Sequence, residues 1–217
     1  MRIIAGRFRG MTLEAPAGAT TRPMTDRVKE TVFNVLGARL DLPGRLPEGP
    51  ILDLFAGSGA LGIEALSRGA TACTFVERDR RALGVLRANV AKLRLGDACH
   101  VVAENAWTLR LPPAPGAGYV VVFVDPPFRD VAQTTRVLDL LERVATRLAP
   151  DGVAVFRHDL PTPFAPVSLR GLRCVDRREI GRNRVLLLAP AVEGGLAREE
   201  QKEEEAGPEN VGDDADG

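Results

Sequence analysis

The stretch that most constrains this chain is Ile51-Leu-Asp-Leu-Phe-Ala-Gly-Ser-Gly-Ala-Leu-Gly62. It reads as a short buried strand, a glycine turn and the start of a helix. Gly57, Gly59 and Gly62 have the G-x-G-x-x-G spacing, which permits a sharp turn and close backbone approach to a ligand. Glu77 stands 18 residues after Gly59, at the end of a second apolar run, Ala72–Val76. An acidic side chain there can accept hydrogen bonds from ribose hydroxyls. The pattern implies a nucleoside-bearing cofactor held by a strand–turn–helix unit, with Phe55, Gly57, Ser58 and Gly59 in the turn.

Asp53 narrows the choice of cofactor. It lies four residues before Gly57, where a carboxylate would repel the pyrophosphate that a dinucleotide sets at the helix N-terminus. The same carboxylate suits the sulfonium and ammonium of S-adenosylmethionine. The competing reading of Asp53 is a carboxylate that caps the helix or its turn.

Alternation of strands and helices continues to about residue 189 and predicts an α/β fold. The expected form is a doubly wound, mostly parallel seven-stranded sheet with a small N-terminal hairpin and helix. Residues 2–13 read as a hairpin around Gly6 and Gly10, and Thr25 caps a helix with Val28, Val32, Leu36 and Leu40 on one face. That helix precedes the central strand and is expected to lie over the cofactor pocket. A helix over Arg80–Leu93, a strand at His100–Ala103, a helix from about Gln133 to Leu148, a turn at Pro150–Gly152 and a strand at Val153–Arg157 follow. Two last strands flank Gly181-Arg-Asn183. Asn105 and Ala106, after the third strand, stand where a polar group reads an adenine amine. The expected units are residues 1–48, an RNA-contacting extension; 49–192, the catalytic domain; and 193–217, a disordered acidic tail.

Zero net charge hides a split. Residues 193–217 carry ten acidic and two basic residues, leaving a net of +8 on residues 1–192. A basic body suits an anionic partner such as RNA. Arg2, Arg7 and Arg9 beside Phe8, with Arg22 and Arg27 around the first helix, are the candidate phosphate contacts. Three cysteines without a C-x-x-C pair, no apolar run long enough for a membrane and no secretory leader point to a cytoplasmic protein without a metal.

Tyr119–Val124 is apolar on both faces, as in a central parallel strand, and it ends in Asp125-Pro-Pro-Phe128. The prolines fix the backbone and aim its carbonyls. Asp125 and the Pro126 carbonyl can accept the protons of a base's exocyclic amine, Pro127 stiffens the turn, and Phe128 can stack on the base. The expected chemistry is methyl transfer to an amine, catalysed by positioning, and the competing reading is a Pro-Pro turn that only ends a strand.

The tetrapeptide with the Asp-Leu-Phe-Ala-Gly-Ser-Gly loop is similar to Rossmann-like, S-adenosylmethionine-dependent amino-methyltransferases. Three stretches resemble the bacterial 16S ribosomal RNA guanine-N2 methyltransferase family more narrowly: Arg2–Gly10, Arg22–Glu30 with Phe33-Asn34, and Leu52–Ala70. The resemblance covers residues 1 to about 190. It implies methylation of N2 of one guanine in 16S rRNA, within the small ribosomal subunit or its assembly intermediate, by a monomer. The chain departs from the family at Asn105, often Asp there, in its last hairpin and in the acidic tail. The alternatives are an adenine-N6 or protein-amide methyltransferase using the same tetrapeptide, and an NAD-dependent or non-catalytic protein reusing the glycine loop.

Overall fold

The computed structural model describes residues 1–16, 24–162, 164 and 169–191. Seven strands form one sheet: β1 (Pro50–Leu54), β2 (Ala72–Val76), β3 (Cys99–Val102), β4 (Tyr119–Val124), β5 (Leu148–Asp159), β6 (Leu172–Ile180) and β7 (Asn183–Pro190). Their order is β3-β2-β1-β4-β5-β7-β6. The first five pair in parallel, and β7 runs antiparallel to both β5 and β6. The order reverses between β1 and β4, so a crevice opens beyond the carboxyl ends of these two strands. Leu54 pairs with Val76 on one side and Val124 on the other, so Phe55, Glu77 and Asp125 emerge together at that edge.

Among the described residues, α1 (Asp26–Arg39) precedes the sheet, and α2 (Ala60–Ser67), α3 (Arg80–Lys92), the short α4 (Phe128–Val131) and α5 (Thr134–Ala145) connect its parallel strands. Side chains alternate across the sheet, so each central strand feeds two cores. Ile51, Phe75, Val121 and Phe123 meet Phe33, Leu36, Ile63 and Leu86 on one face. Leu52, Val122, Val124 and Phe156 meet Val137, Leu140 and Val144 of α5 on the other. Burial on both faces is why Tyr119–Val124 is an unbroken apolar run.

The first residues are bound tightly to this body. Arg2 and Thr12 form an antiparallel bridge, and Ile3 and Leu13 are buried in the same core as the sheet. Glu64, inside α2, accepts the Ile4 and Ala5 backbone N–H groups at 2.8 and 3.0 Å. It also pairs with Lys29 Nζ at 3.0 Å and Arg68 Nε at 2.9 Å. Asn89 of α3 accepts the Glu14 N–H and donates to the carbonyls of Glu14 and Ser58, tying the opening segment to the glycine loop.

Two expectations need correction. The turn at Pro150–Gly152 does not interrupt the chain: these residues lie inside β5, and α5 stops at Ala145. Leu148 already pairs with Tyr119, and the surplus residues are absorbed as a register shift before Val121 meets Val153. A Cβ at Gly152 would lie 2.6 Å from the Tyr119 carbonyl oxygen, so glycine permits that close passage. Helix α1 does not cover the crevice. Its apolar face packs on the sheet, with Phe33 and Phe123 ring centroids 5.6 Å apart, and only Met24, before its Thr25 cap, reaches the cavity. Arg22 and the acidic tail lie outside the described residues.

Candidate active site

The crevice holds a cavity of about 590 Å³. Its walls include Asp53, the Phe55–Ser58 loop, Glu77–Asp79, Glu104–Trp107, Asp125–Asp130 and Arg157, with Met1, Pro16 and Met24 at the side of the opening segment. Asp53, Phe55, Gly57, Ser58, Glu77, Asn105, Ala106 and the whole Asp125–Phe128 tetrapeptide thus meet in one place. Gly59 does not line it.

The three glycines divide their work. Gly57 has φ +55°, and a Cβ there would meet nothing within 4 Å, so this position opens toward the cavity. At Gly59 a Cβ would strike Leu86 at 2.4 Å, and at Gly62 it would strike the Phe75 ring at 2.3 Å. Those two permit α2 to pack tightly on α3 and β2. Phe55 also has a positive φ, 63°, uncommon for an aromatic residue and placed at the cavity wall.

Asp53 is buried, and its Oδ2 accepts the Gly62 N–H at 2.9 Å. The carboxylate therefore does cap α2, while also lining the cavity. Burial, with smaller contributions from nearby Asp125 and Glu77, pushes its pKa up to about 8, against the lowering effect of the Gly62 bond. Glu77 accepts the backbone N–H groups of Gly57, Arg78 and Asp79 at 2.8, 2.7 and 2.8 Å, fixing both the glycine loop and the start of α3. Asn105 accepts the Trp107 N–H at 3.2 Å, and its carbonyl anchors the turn through Leu109.

Asp125 follows β4 and is gripped by Arg157 of β5, with Nε–Oδ1 at 2.6 Å and Nη2–Oδ2 at 2.9 Å. The Pro127 carbonyl accepts the Asp130 N–H, which starts α4. Among the described residues no backbone or side-chain donor takes the Pro126 carbonyl.

Sequence reasoning missed Trp107, Arg157 and Asn183. Trp107 packs on Phe55 with centroids 4.8 Å apart and lies under the Arg136 guanidinium at 4.7 Å. Arg157 had a usable signal: a lone basic residue closing an apolar strand next to the one that ends in Asp125.

The candidate arginines of the opening segment stand outside the cavity. Arg2 pairs with Asp26 at 2.9 Å, Arg7 lies 4.6 Å over its neighbour Phe8, and Arg9 and Arg27 are exposed. Lys29 is buried in the ion pair with Glu64 and does not face solvent.

The donor set suits a ligand with hydroxyls and positive charge. Six acidic residues line the cavity (Asp53, Glu77, Asp79, Glu104, Asp125 and Asp130) against four arginines, Gly57 opens it to backbone approach, and the buried Asp53, with its pKa pushed to about 8, gains from a cation. S-Adenosylmethionine has that chemistry, and a pyrophosphate does not.

The sheet order and its cleft define the class: a Rossmann-like, class I methyltransferase fold. The solved structure of yhhF from Escherichia coli matches with a TM-score of 0.68 at 34% identity, covering 88% of this chain and 97% of that one. HI0767 from Haemophilus influenzae matches at 0.65 and 30%, covering 88% and 99%. Residues 1–189 match the family model described as conserved hypothetical protein 95, and the chain belongs to that family, the one containing ribosomal RNA small subunit methyltransferase D. YlbH of Bacillus subtilis (strain 168) is 41% identical over 160 residues, 73% of this chain and 83% of that protein. Ribosomal RNA small subunit methyltransferase D of Escherichia coli K12 is 45% identical over 129 residues, which are 59% of this chain and 61% of that protein.

Proposed function

We propose that this protein transfers a methyl group from S-adenosylmethionine to the exocyclic N2 of a guanine in 16S rRNA of the small ribosomal subunit. The observation that carries the reading is the meeting of Asp125-Pro-Pro-Phe128 with the Asp53–Ser58 loop and Glu77 around one cavity. The family supports rRNA as the substrate class.

When bound, S-adenosylmethionine supplies an electrophilic methyl group on a sulfonium. Asp53 faces the positive end of that molecule. Glu77, with three of its about four lone-pair sites taken by backbone N–H groups, keeps about one, on Oε2, for a ribose hydroxyl. Asn105, Ala106 and the Trp107–Phe55 pair form the wall for the adenine. Asp125 and the Pro126 carbonyl accept the two protons of the target amine, turning its nitrogen lone pair out of conjugation with the ring. Phe128 stacks on the guanine. No strong base is needed, because the nitrogen loses its surplus proton to water after attack. Most of the rate then comes from alignment. The exposed Arg9 and Arg27, with Arg2 and Arg7, contact rRNA phosphates beside the cavity.

The test is methylation of small subunits from a strain lacking the endogenous enzyme, followed by mass spectrometry of nucleosides. N2-methylguanosine in 16S rRNA is the expected product. N6-methyladenosine, or label in protein alone, would overturn the assignment.

A further inference from the structure

We propose that Arg157 is a positioning residue that holds the Asp125 carboxylate and the Phe128 ring as one rigid unit facing the target amine. This rests on the amino-methyltransferase reading of the site. Val124 and Phe156 pair across parallel strands, so the residues that follow them, Asp125 and Arg157, emerge side by side. The guanidinium spans both oxygens of Asp125, and its remaining edge donates through Nη1 to Asn183 Oδ1 at 2.7 Å. Asn183 is fixed in turn, because its Nδ2 donates to the Ile180 carbonyl at 3.1 Å. The same guanidinium lies 4.9 Å from the centre of the Phe128 ring. Side-chain exposure is 11% for Arg157 and 17% for Asp125, so the clamp is mostly shielded yet borders the cavity.

The geometry bears on chemistry as follows. An aspartate at a strand end rotates about two bonds, and a bidentate guanidinium stops both. A carboxylate has about four lone-pair sites, so the clamp leaves roughly two for the amine. Fixing Phe128 with the same group sets the base plane relative to that acceptor. Lysine, a point charge, cannot span both oxygens or stack in this way.

Two measurements test the clamp. The first needs no activity. In the full chain the Arg157 Nε–H should give a downfield, slowly exchanging NMR signal that disappears in Asp125→Ala. A signal exchanging as fast as those of exposed arginines overturns the proposal whatever the substrate is. The second is single-turnover methyl transfer to undermethylated small subunits. Arg157→Ala should slow it roughly tenfold to a hundredfold, with affinity for S-adenosylhomocysteine kept within about twofold, and Arg157→Lys should recover little. In the Asp125→Ala background, Arg157→Ala should cost much less than it does in the parent, since only its hold on Phe128 is left to lose. Should Arg157→Ala fail to fold, Asn183→Ala removes one arm of the clamp and should give a smaller loss that also shrinks in the Asp125→Ala background. A parent-like rate in the single variants, or losses that multiply in the double variant, overturns the proposal. If the parent methylates no rRNA while the Nε–H signal is present and depends on Asp125, the function is wrong and the clamp stands.

Discussion

Two of the carboxylates that pair with arginine, Glu64 and Asp125, are held in different ways. Glu64 sits beneath the opening segment with Lys29 and Arg68, all three side chains no more than 2% exposed. Four donors reach its two oxygens, which fills its lone pairs. Lys29 also donates to the Arg2 carbonyl, and Arg68 lies 4.6 Å over Phe33. Asp125 receives only the two bonds of Arg157 among the described residues and borders a cavity. A saturated, sealed carboxylate is scaffold. A half-satisfied one at a cavity wall can bind a ligand. The lesson is that counting open lone pairs separates the two where burial and charge pairing alone do not.

The largest effect is expected at the sealed cluster. Glu64→Ala leaves Lys29 and Arg68 buried without their counter-charge, and we expect a loss of about 3–5 kcal/mol in urea denaturation. Loss below about 1 kcal/mol would mean the cluster is no scaffold, and the contrast with Asp125 would collapse. Next comes Asp125→Ala, expected to lower kcat by about 10²-fold while affinity for S-adenosylhomocysteine by calorimetry stays near the parent value. Asp125→Asn keeps a carbonyl acceptor and should retain more activity. If Asp125→Ala instead abolishes cofactor binding, the open lone pairs serve the cofactor and the amine is oriented elsewhere.

Asp53 sharpens the comparison, because it is buried like Glu64 but has no cationic partner among the described side chains. Its folded pKa of about 8 exceeds the ordinary 3.8, so between those values the folded chain holds the extra proton. Stability from this group is greatest at low pH and falls as pH rises from about 4 to about 8. A cationic ligand reverses the preference and expels the proton. S-Adenosylmethionine affinity should therefore rise between pH 6 and 8, by at most about tenfold per unit. Calorimetry in buffers of different ionisation enthalpy should detect the released proton at pH 7. Asp53→Asn should remove this component, leaving only the titration of the ligand's own amino group; identical pH dependence in the two proteins would rule Asp53 out as the cation partner.

The smallest effect is on the surface. Replacing Arg2, Arg7 and Arg9 with Ala should raise KM for small subunits and flatten its salt dependence. Each phosphate contact contributes a slope of about 0.7–0.9, and Arg2, already paired with Asp26, should contribute least. Equal slopes in mutant and parent would argue against phosphate contact.

The parts of this molecule that the sequence revealed are those written locally. The run Tyr119–Val124, the Thr25 cap and the Asp125-Pro-Pro-Phe128 turn each depend on neighbours in the chain, and each has its expected form. The carboxyl ends of the strands were likewise legible, since strand–helix alternation fixes which ends meet. What was not legible depends on register through space. Lys29 and Glu64 are 35 residues apart, and no local pattern tells that one buries the other's charge. Arg157 meets Asp125 only because β4 and β5 pair in a particular register. The glycine motif was legible as a motif but not as three separate duties, because the neighbours that crowd Gly59 and Gly62 come from α3 and β2.

Trp107 is the only tryptophan in the chain, and it stands in the cavity wall between Phe55 and Arg136. The protein thus carries a built-in optical probe of its own cleft. Excitation of the indole in the unlabelled full chain reads one environment, with no background from other tryptophans. A ligand entering beside Phe55 will change the emission, so occupancy of the cleft can be titrated by fluorescence before any substrate is in hand.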